Sequence, residues 1–428
     1  MKILVLGGNG FIGQSVCQKL AAEGHSVTAY GRNIAEASQR LKNVIWHSID
    51  IGTLTSANSW QAPIAGMDVI VNCAGALQDS SRDDVVTVQQ DAMFALYKAA
   101  ELSNLSLIVQ ISAAVKGNGA NLPFIATKRA ADEILGQSKI PHVILRPALV
   151  IGRNAHGGTA LLRSLASFPR ITPLIYADQP IQTVTLDDVA RAVSACLEGR
   201  ILPGSDVSLA ASHVHTLADA VAAHRSWLGL PPANLVRIPQ LLASVAAWMA
   251  DCTGFLGWRS PLRSTAITIM SDGVISVSPP TESLPQLLTL EQTLAANPAG
   301  AQDLWFARLY LLKPLVILTL SLFWIASGAL TLWSLDAATM HLAAHLGQAG
   351  AASVTIATSI ADILLGGLVL FRRHAAGAML GMLSLSIVYL VGGTLLEPSL
   401  WLDPLGSYVK IFPSLLLTLI GLSILNER

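Results

Sequence analysis

The sequence predicts an α/β domain, a doubly wound parallel sheet with a small substrate lobe, followed by an all-α domain of four transmembrane helices. Three observations predict it. The apolar run Met1–Leu6 enters a glycine-rich turn and then a helical pattern. Short apolar segments then alternate with helical stretches, the pattern of parallel strands joined by helices. Finally, charge drains away: residues 1–300 hold 21 Lys/Arg and 21 Asp/Glu, whereas residues 301–428 hold six of each among long apolar runs.

The first element decides most. Gly7-Gly8-Asn9-Gly10-Phe11-Ile12-Gly13 follows the strand at once. Glycines at 7 and 10 let the backbone turn sharply and approach a pyrophosphate. Gly13 lets the helix pack closely on the strand. The unpaired N–H groups of the helix's first turn then face the phosphates. This is the Rossmann-type arrangement, and the plainer alternative is a tight turn with no ligand. After the second strand, His25–Tyr30, the chain reads Gly31-Arg32-Asn33. An acidic residue there would hold a ribose 2′-hydroxyl. Arg32 instead pairs with a 2′-phosphate, which favours NADP(H) over NAD(H), unless it is a solvated surface arginine.

A third strand, Val44–Ile49, ends at Asp50-Ile51 beside the expected adenine position, where Asp50 accepts from the adenine amine or caps a helix. Asp68–Gly75 reads as a fourth strand whose small end, Cys73-Ala74-Gly75, leaves room for the ribose. A helix runs from about Val85 to Ser103. The fifth strand, Leu107–Ser112, sets a serine at the carboxyl edge, where open α/β sheets bind ligands. His142–Leu145 is the sixth, ended by Arg146-Pro147.

Together these segments resemble the extended and atypical short-chain dehydrogenase/reductases, including NAD(P)-dependent epimerase/dehydratases and the accessory subunit of respiratory complex I. Thr127-Lys128 and the stretch Val184–Ala190 complete the resemblance, which covers roughly residues 1–295. It implies a Ser, Tyr and Lys site with Tyr-x-x-x-Lys spacing. The phenol exchanges a proton with substrate, the lysine lowers the phenol's pKa and holds the nicotinamide ribose, and the serine orients the carbonyl. Pro147 then passes close to the nicotinamide. Ser112 and Lys128 match as catalytic positions. The tyrosine position is Phe124, which has no proton to give. Three readings remain: a nucleotide-binding domain without turnover, a substitute donor such as Thr127, Asn121 or a water on Ser112, or chemistry needing no such donor.

The substrate-side lobe runs from about residue 151 to 295. Arg153 and His156 are its candidates for an anionic substrate. Val184–Glu198 reads as a strand, an Asp187 cap and a helix; Thr216–Leu228 is a second helix. Pro239–Trp258 is also helical, and lies on a membrane surface, caps the cleft or, most plainly, packs in the lobe's core. A last helix spans about Pro285–Ala296, and Asn297-Pro298-Ala299-Gly300 marks the domain boundary.

Four apolar runs follow: Leu311–Trp333, Ala352–Phe371, Ala375–Leu396 and Tyr408–Leu425. A helix needs about 20 residues to cross about 30 Å of hydrocarbon. Arg308, Lys313, Arg372, Arg373 and Arg428 fall on one side, so the positive-inside rule puts the N-terminal domain and the C-terminus in the cytoplasm, with the chain in the inner membrane. Lys410 is the exception. Asp362, inside the second run, is a functional candidate because a carboxyl there is costly unless paired or protonated; Lys410, His341 and His345 are the candidate partners. Segments such as Phe323–Gly328, Ala361–Gly366 and Leu400–Gly406 resemble a DoxX-like four-helix membrane domain. That resemblance implies an apolar or quinone-like substrate, or a membrane redox complex as partner.

Composition narrows the rest. The chain of 428 residues is 52% apolar with zero net charge, which gives no case for nucleic acid. Cys17, Cys73, Cys196 and Cys252 lie far apart, so neither a metal site nor a disulfide framework is expected. No signal peptide is expected either, because the first apolar run is short and enters the glycine turn.

Overall fold

The computed structural model describes residues 1–75, 79, 84–113, 121–258, 260, 262–276, 286–404 and 406–425. Strands β1 (Lys2–Leu6), β2 (Ser26–Gly31), β3 (Ile45–Ser48), β4 (Val69–Asn72), β5 (Leu107–Ile111) and β6 (His142–Pro147) form one parallel sheet with a short edge strand, Asp206–Leu209. The order is edge strand, β6, β5, β4, β1, β2, β3. The order therefore reverses between β1 and β4, where an open α/β sheet leaves its crevice. β1 is apolar throughout because both faces are covered. Ile3 and Val5 join one core with Val16 and Leu20 of the helix Phe11–Ala22 and Val189 and Val193 of the helix Leu186–Leu197. Leu4 and Leu6 join the opposite core with Trp60, Leu96 and Leu135. The edge strand escaped the sequence reading because Asp206 and Ser208 break up its apolar run.

Elsewhere the outcome is mixed. The Val85–Ser103 stretch forms a π-helical turn, Thr87–Asp91, and then the helix Ala92–Ala100. The cap before Leu186–Leu197 is Thr185, whose hydroxyl accepts from Asp188 N–H; Asp187 is a first-turn residue. The last helix of the lobe is Leu290–Ala296, opened by a capping box of Thr289 and Gln292, and Pro285 lies outside the described residues. The helix Gln240–Phe255 does not pack as a core helix: Leu241, Val245 and Trp248 are exposed on it.

The chain forms two compact units. One comprises Met1–Asp251 and Ser260–Ala307, the other Cys252–Arg259 and Arg308–Arg428. Among the described residues of the second unit three helices are long and apolar enough to cross a membrane: Leu312–Trp333, Leu342–Leu368 and Ala375–Leu396. The fourth run departs from the expectation. It forms the helix Ile411–Ser423, only 13 residues, because residues from the positive-φ Gly406 to Lys410 are turned rather than helical. The expected loop after the first span is helical too. Residues Leu335–Leu368 are two helices broken at Gly347, whose φ is 68°. The first two spans approach closely: a Cβ on Gly328 would lie 2.4 Å from the Ser359 carbonyl oxygen.

Candidate functional site

The site is built on the turn after β1. Gly7 has φ +69°, and a Cβ there would lie 2.9 Å from Ala74 backbone atoms. A Cβ on Gly13 would lie 2.2 Å from the Gly7 carbonyl oxygen. Glycine is thus required at both positions, one by its backbone angle and one by helix-to-turn contact. Gly10 opens the helix with no side-chain cap, and no acidic residue stands in its first turn. The amides of Phe11, Ile12 and Gly13 make an anion-binding mouth at this terminus. Asn9 and Gly8 complete the loop. Asn9 Nδ2 donates to the Asn33 carbonyl at 3.0 Å, and Gly8 N–H donates to the Tyr30 carbonyl at 3.0 Å. These residues fit a dinucleotide.

Around that loop the sheet edges supply the remaining positions. Arg32 is exposed, and its carbonyl accepts from Ser48 Oγ at 2.8 Å. Asp50 is exposed and accepts from Gly52 N–H at 3.1 Å, so it caps the turn Ile51–Thr53, while Ile51 itself is buried. Asn72 Oδ1 accepts from Ala74 N–H at 3.0 Å, and its amide donates to Gln110 Oε1 at 2.8 Å. This fixes the path of Cys73, Ala74 and Gly75 along the crevice. Burial pushes the Cys73 thiol up to about 12, so it stays protonated. Pro147 is buried at the end of β6.

Ser112 follows β5, and Lys128 reaches the same strand end from the helix Pro123–Gln137. Lys128 is buried on the helix Pro123–Gln137. Its Nζ donates to the Ile111 carbonyl at 2.9 Å, next to Ser112, and lies 6.0 Å from the Phe124 ring centroid. A Cβ on Gly75 would be 3.4 Å from that nitrogen. Burial pulls the lysine's pKa down, against the pull of Asp132. Ser112 Oγ donates to Asp132 Oδ2 at 2.5 Å. Arg146 Nη1 contacts the same carboxylate oxygen at 2.9 Å and donates to Ser112 Oγ at 3.2 Å. Arg146 also clamps Asp206 through Nε at 2.7 Å and Nη2 at 2.8 Å. Burial raises the Asp132 pKa, while Arg146 and Ser112 hold it down.

Asp132 and Asp206 are the residues that sequence reasoning missed. Asp132 had a readable signal: it stands four residues after Lys128, on the same helix face. Asp206 had none, because the edge strand that carries it was not seen. The candidate substitutes for a phenol are otherwise engaged or remote. Thr127 Oγ1 donates to the Pro123 carbonyl at 2.7 Å, a bond within its own helix, and Asn121 is exposed. In the lobe, Arg153 pairs with Asp303 at 2.9 Å. His156 stacks on Phe11 with ring centroids 5.2 Å apart, which sets an imidazole over the nucleotide loop.

In the second unit Asp362 is buried, and its partners are not those expected. Tyr389 OH donates to Oδ1 at 2.7 Å and Ser327 Oγ to Oδ2 at 3.4 Å. The His341 side chain lies outside the described residues.

Comparisons with known proteins agree with this geometry. Residues 7–199 match the NAD(P)H-binding family and residues 321–419 the DoxX-like family. An uncharacterized protein of Mycobacterium tuberculosis is 25% identical over 314 residues, 71% of this chain and 34% of that protein. The chain thus spans about a third of the length of the curated relatives it matches first. The photosystem II assembly factor Ycf39 of Synechocystis is 21% identical over 277 residues, 62% of this chain and 81% of that one. The Bordetella bronchiseptica enzyme WbmH, solved with NAD+, shares 17% identity with a TM-score of 0.52, over 72% of this chain and 98% of that one, which bears on the fold alone. The chain therefore joins a Rossmann-type domain that matches the NAD(P)H-binding family to a DoxX-like region whose described residues hold three helices long and apolar enough to cross a membrane.

Proposed function

We propose that this is a membrane-anchored protein that binds NADP(H) without turning it over, as a nucleotide-dependent structural or assembly component of a membrane redox complex. One observation carries the reading. Phe124 stands where the phenol is needed, and the Ser112 hydroxyl that would orient a carbonyl already donates to Asp132 at 2.5 Å. The site keeps its nucleotide cradle and has lost its proton path. Ycf39, an assembly factor by name, supports the same reading. Arg32 supports the 2′-phosphate preference. The basic residues Arg308, Lys313, Arg372 and Arg373 support an inner-membrane location with the nucleotide domain in the cytoplasm.

A second reading is an oxidoreductase passing hydride to an apolar or quinone-like substrate from the bilayer. What favours it is Lys128, still buried beside Gly75 at the ribose-holding position. One experiment separates the two. The purified full chain in lipid is expected to gain thermal stability with NADPH more than with NADH, and to leave NADPH unoxidised with quinone and carbonyl acceptors. Phe124→Tyr is expected to raise carbonyl reduction. Steady NADPH oxidation by the unaltered chain would reject the first reading, and equal shifts with both nucleotides would reject the 2′-phosphate preference.

A further inference from the structure

We propose that the helix Gln240–Phe255 is an in-plane membrane element, with its exposed apolar stripe sunk into the headgroup–acyl boundary. The stripe is continuous. Leu241, Leu242, Val245, Trp248, Met249, Cys252 and Phe255 are all exposed. With 3.6 residues per turn they fall within an arc of about 140°. Trp248 is 67% exposed and Phe255 85%, values that water makes unfavourable for rings of this size. The opposite arc holds Ala243, Ala247 and Ala250, all buried. The helix thus has one face against protein and one of large apolar side chains. No Lys or Arg occurs between Gln240 and Phe255.

The occupant follows from where the helix ends. Residues Cys252–Arg259 belong to the membrane unit. The Leu256 carbonyl accepts from Arg372 N–H at 2.9 Å, and Trp258 Nε1 donates to the Leu370 carbonyl at 2.6 Å. Both contacts lie just past the last residue of the second span and before the first of the third, at Ala375. Lys313 and Arg372 sit 5.8 and 5.7 Å from the Trp258 ring. A tryptophan beside lysine and arginine at the ends of apolar helices marks a membrane–water boundary. The stripe therefore runs into a segment already fixed at that depth. Continuity with the spanning helices favours lipid over a second copy of the chain. The proposal does not depend on the nucleotide site.

Cys252 lies near the middle of the stripe and is exposed, whereas Cys17 and Cys196 are buried. An environment-sensitive thiol fluorophore on Cys252 of the full chain is therefore the probe, in vesicles of phosphatidylcholine and phosphatidylglycerol, with a Cys252→Ser blank. Blue-shifted emission is expected, quenched several-fold more by lipid with a shallow nitroxide than by aqueous iodide. The same label at Val245→Cys in the Cys252→Ser chain should repeat this, and at the exposed Gln137→Cys it should show the reverse. Water-like emission quenched by iodide overturns the proposal. Blue-shifted emission that nitroxide lipid leaves untouched also overturns it, because the stripe is then covered by protein.

Discussion

Two buried carboxyl groups, one in each unit, are held by different chemistry. Asp132 has Arg146 at 2.9 Å and the Ser112 hydroxyl at 2.5 Å. Asp362 has two hydroxyls, from Tyr389 at 2.7 Å and Ser327 at 3.4 Å. Arg146 can serve Asp132 because its other edge reaches the half-exposed Asp206, so the guanidinium is never fully stripped of polar company. Inside an apolar bundle a guanidinium would need its own costly desolvation, and hydroxyls hold a carboxyl without adding charge. The lesson is that the surroundings choose between a counterion and neutral donors, although the serine is common to both.

The strongest way to break this comparison is to remove the counterion. Arg146→Met leaves Asp132 buried with the Ser112 hydroxyl and only the Lys128 charge to offset its own. A loss of about 3–5 kcal/mol is expected in denaturant unfolding of the solubilised chain. Adding Asp132→Leu should recover much of it, and no recovery would mean that Arg146 acts mainly through Asp206.

A third buried ionisable group sharpens the contrast, since it is held by neither method. His224 is fully buried; its Nδ1 lies 2.8 Å from the Ala220 carbonyl and its Nε2 has no hydrogen-bond partner among the described residues. Burial pushes its pKa down from 6.5 to about 4. The unfolded chain therefore takes up this proton first as pH falls. The folded state keeps its full stability above about pH 6.5 and loses it progressively down to about pH 4. The loss should total about 3 kcal/mol, after which it levels off. Unfolding free energies measured from pH 7 to 4 should lose this slope in His224→Phe.

The smallest effect belongs to the membrane side. Tyr389→Phe removes the shorter of the two bonds to Asp362. A cost of roughly 0.6–1.7 kcal/mol is expected in reversible unfolding from detergent micelles, because the partly unfolded state also finds donors. A cost approaching that of Arg146→Met would show that Asp362 carries charge, and the contrast between the two acids would collapse.

How much of this was legible depends on sequence distance. The glycine loop is a local device, so Gly7, Gly10 and Gly13 announce themselves in seven consecutive residues. Phe124 and Lys128 are one helical turn apart and equally readable. Asp132 lies one turn further, and its role appears only once β6 delivers Arg146 beside it. Tyr389 is 27 residues from Asp362 on another helix, and nothing in either segment announces the pairing. The exposed stripe on Gln240–Phe255 was half legible. Apolar periodicity is the same whether a helix faces a protein core or lipid, so only its exposure, together with Trp258 beneath two cations, separates the cases.

The division of the chain has a mechanical consequence. The polypeptide leaves the nucleotide-binding unit after Asp251, visits the membrane unit as far as Arg259, returns, and leaves again after Ala307. A single nick near residue 300 would not free the nucleotide-binding unit, because the earlier excursion would still be fastened through Leu256 and Trp258. Shedding it requires a cut at each of the three crossings, and any one of them left intact keeps it moored.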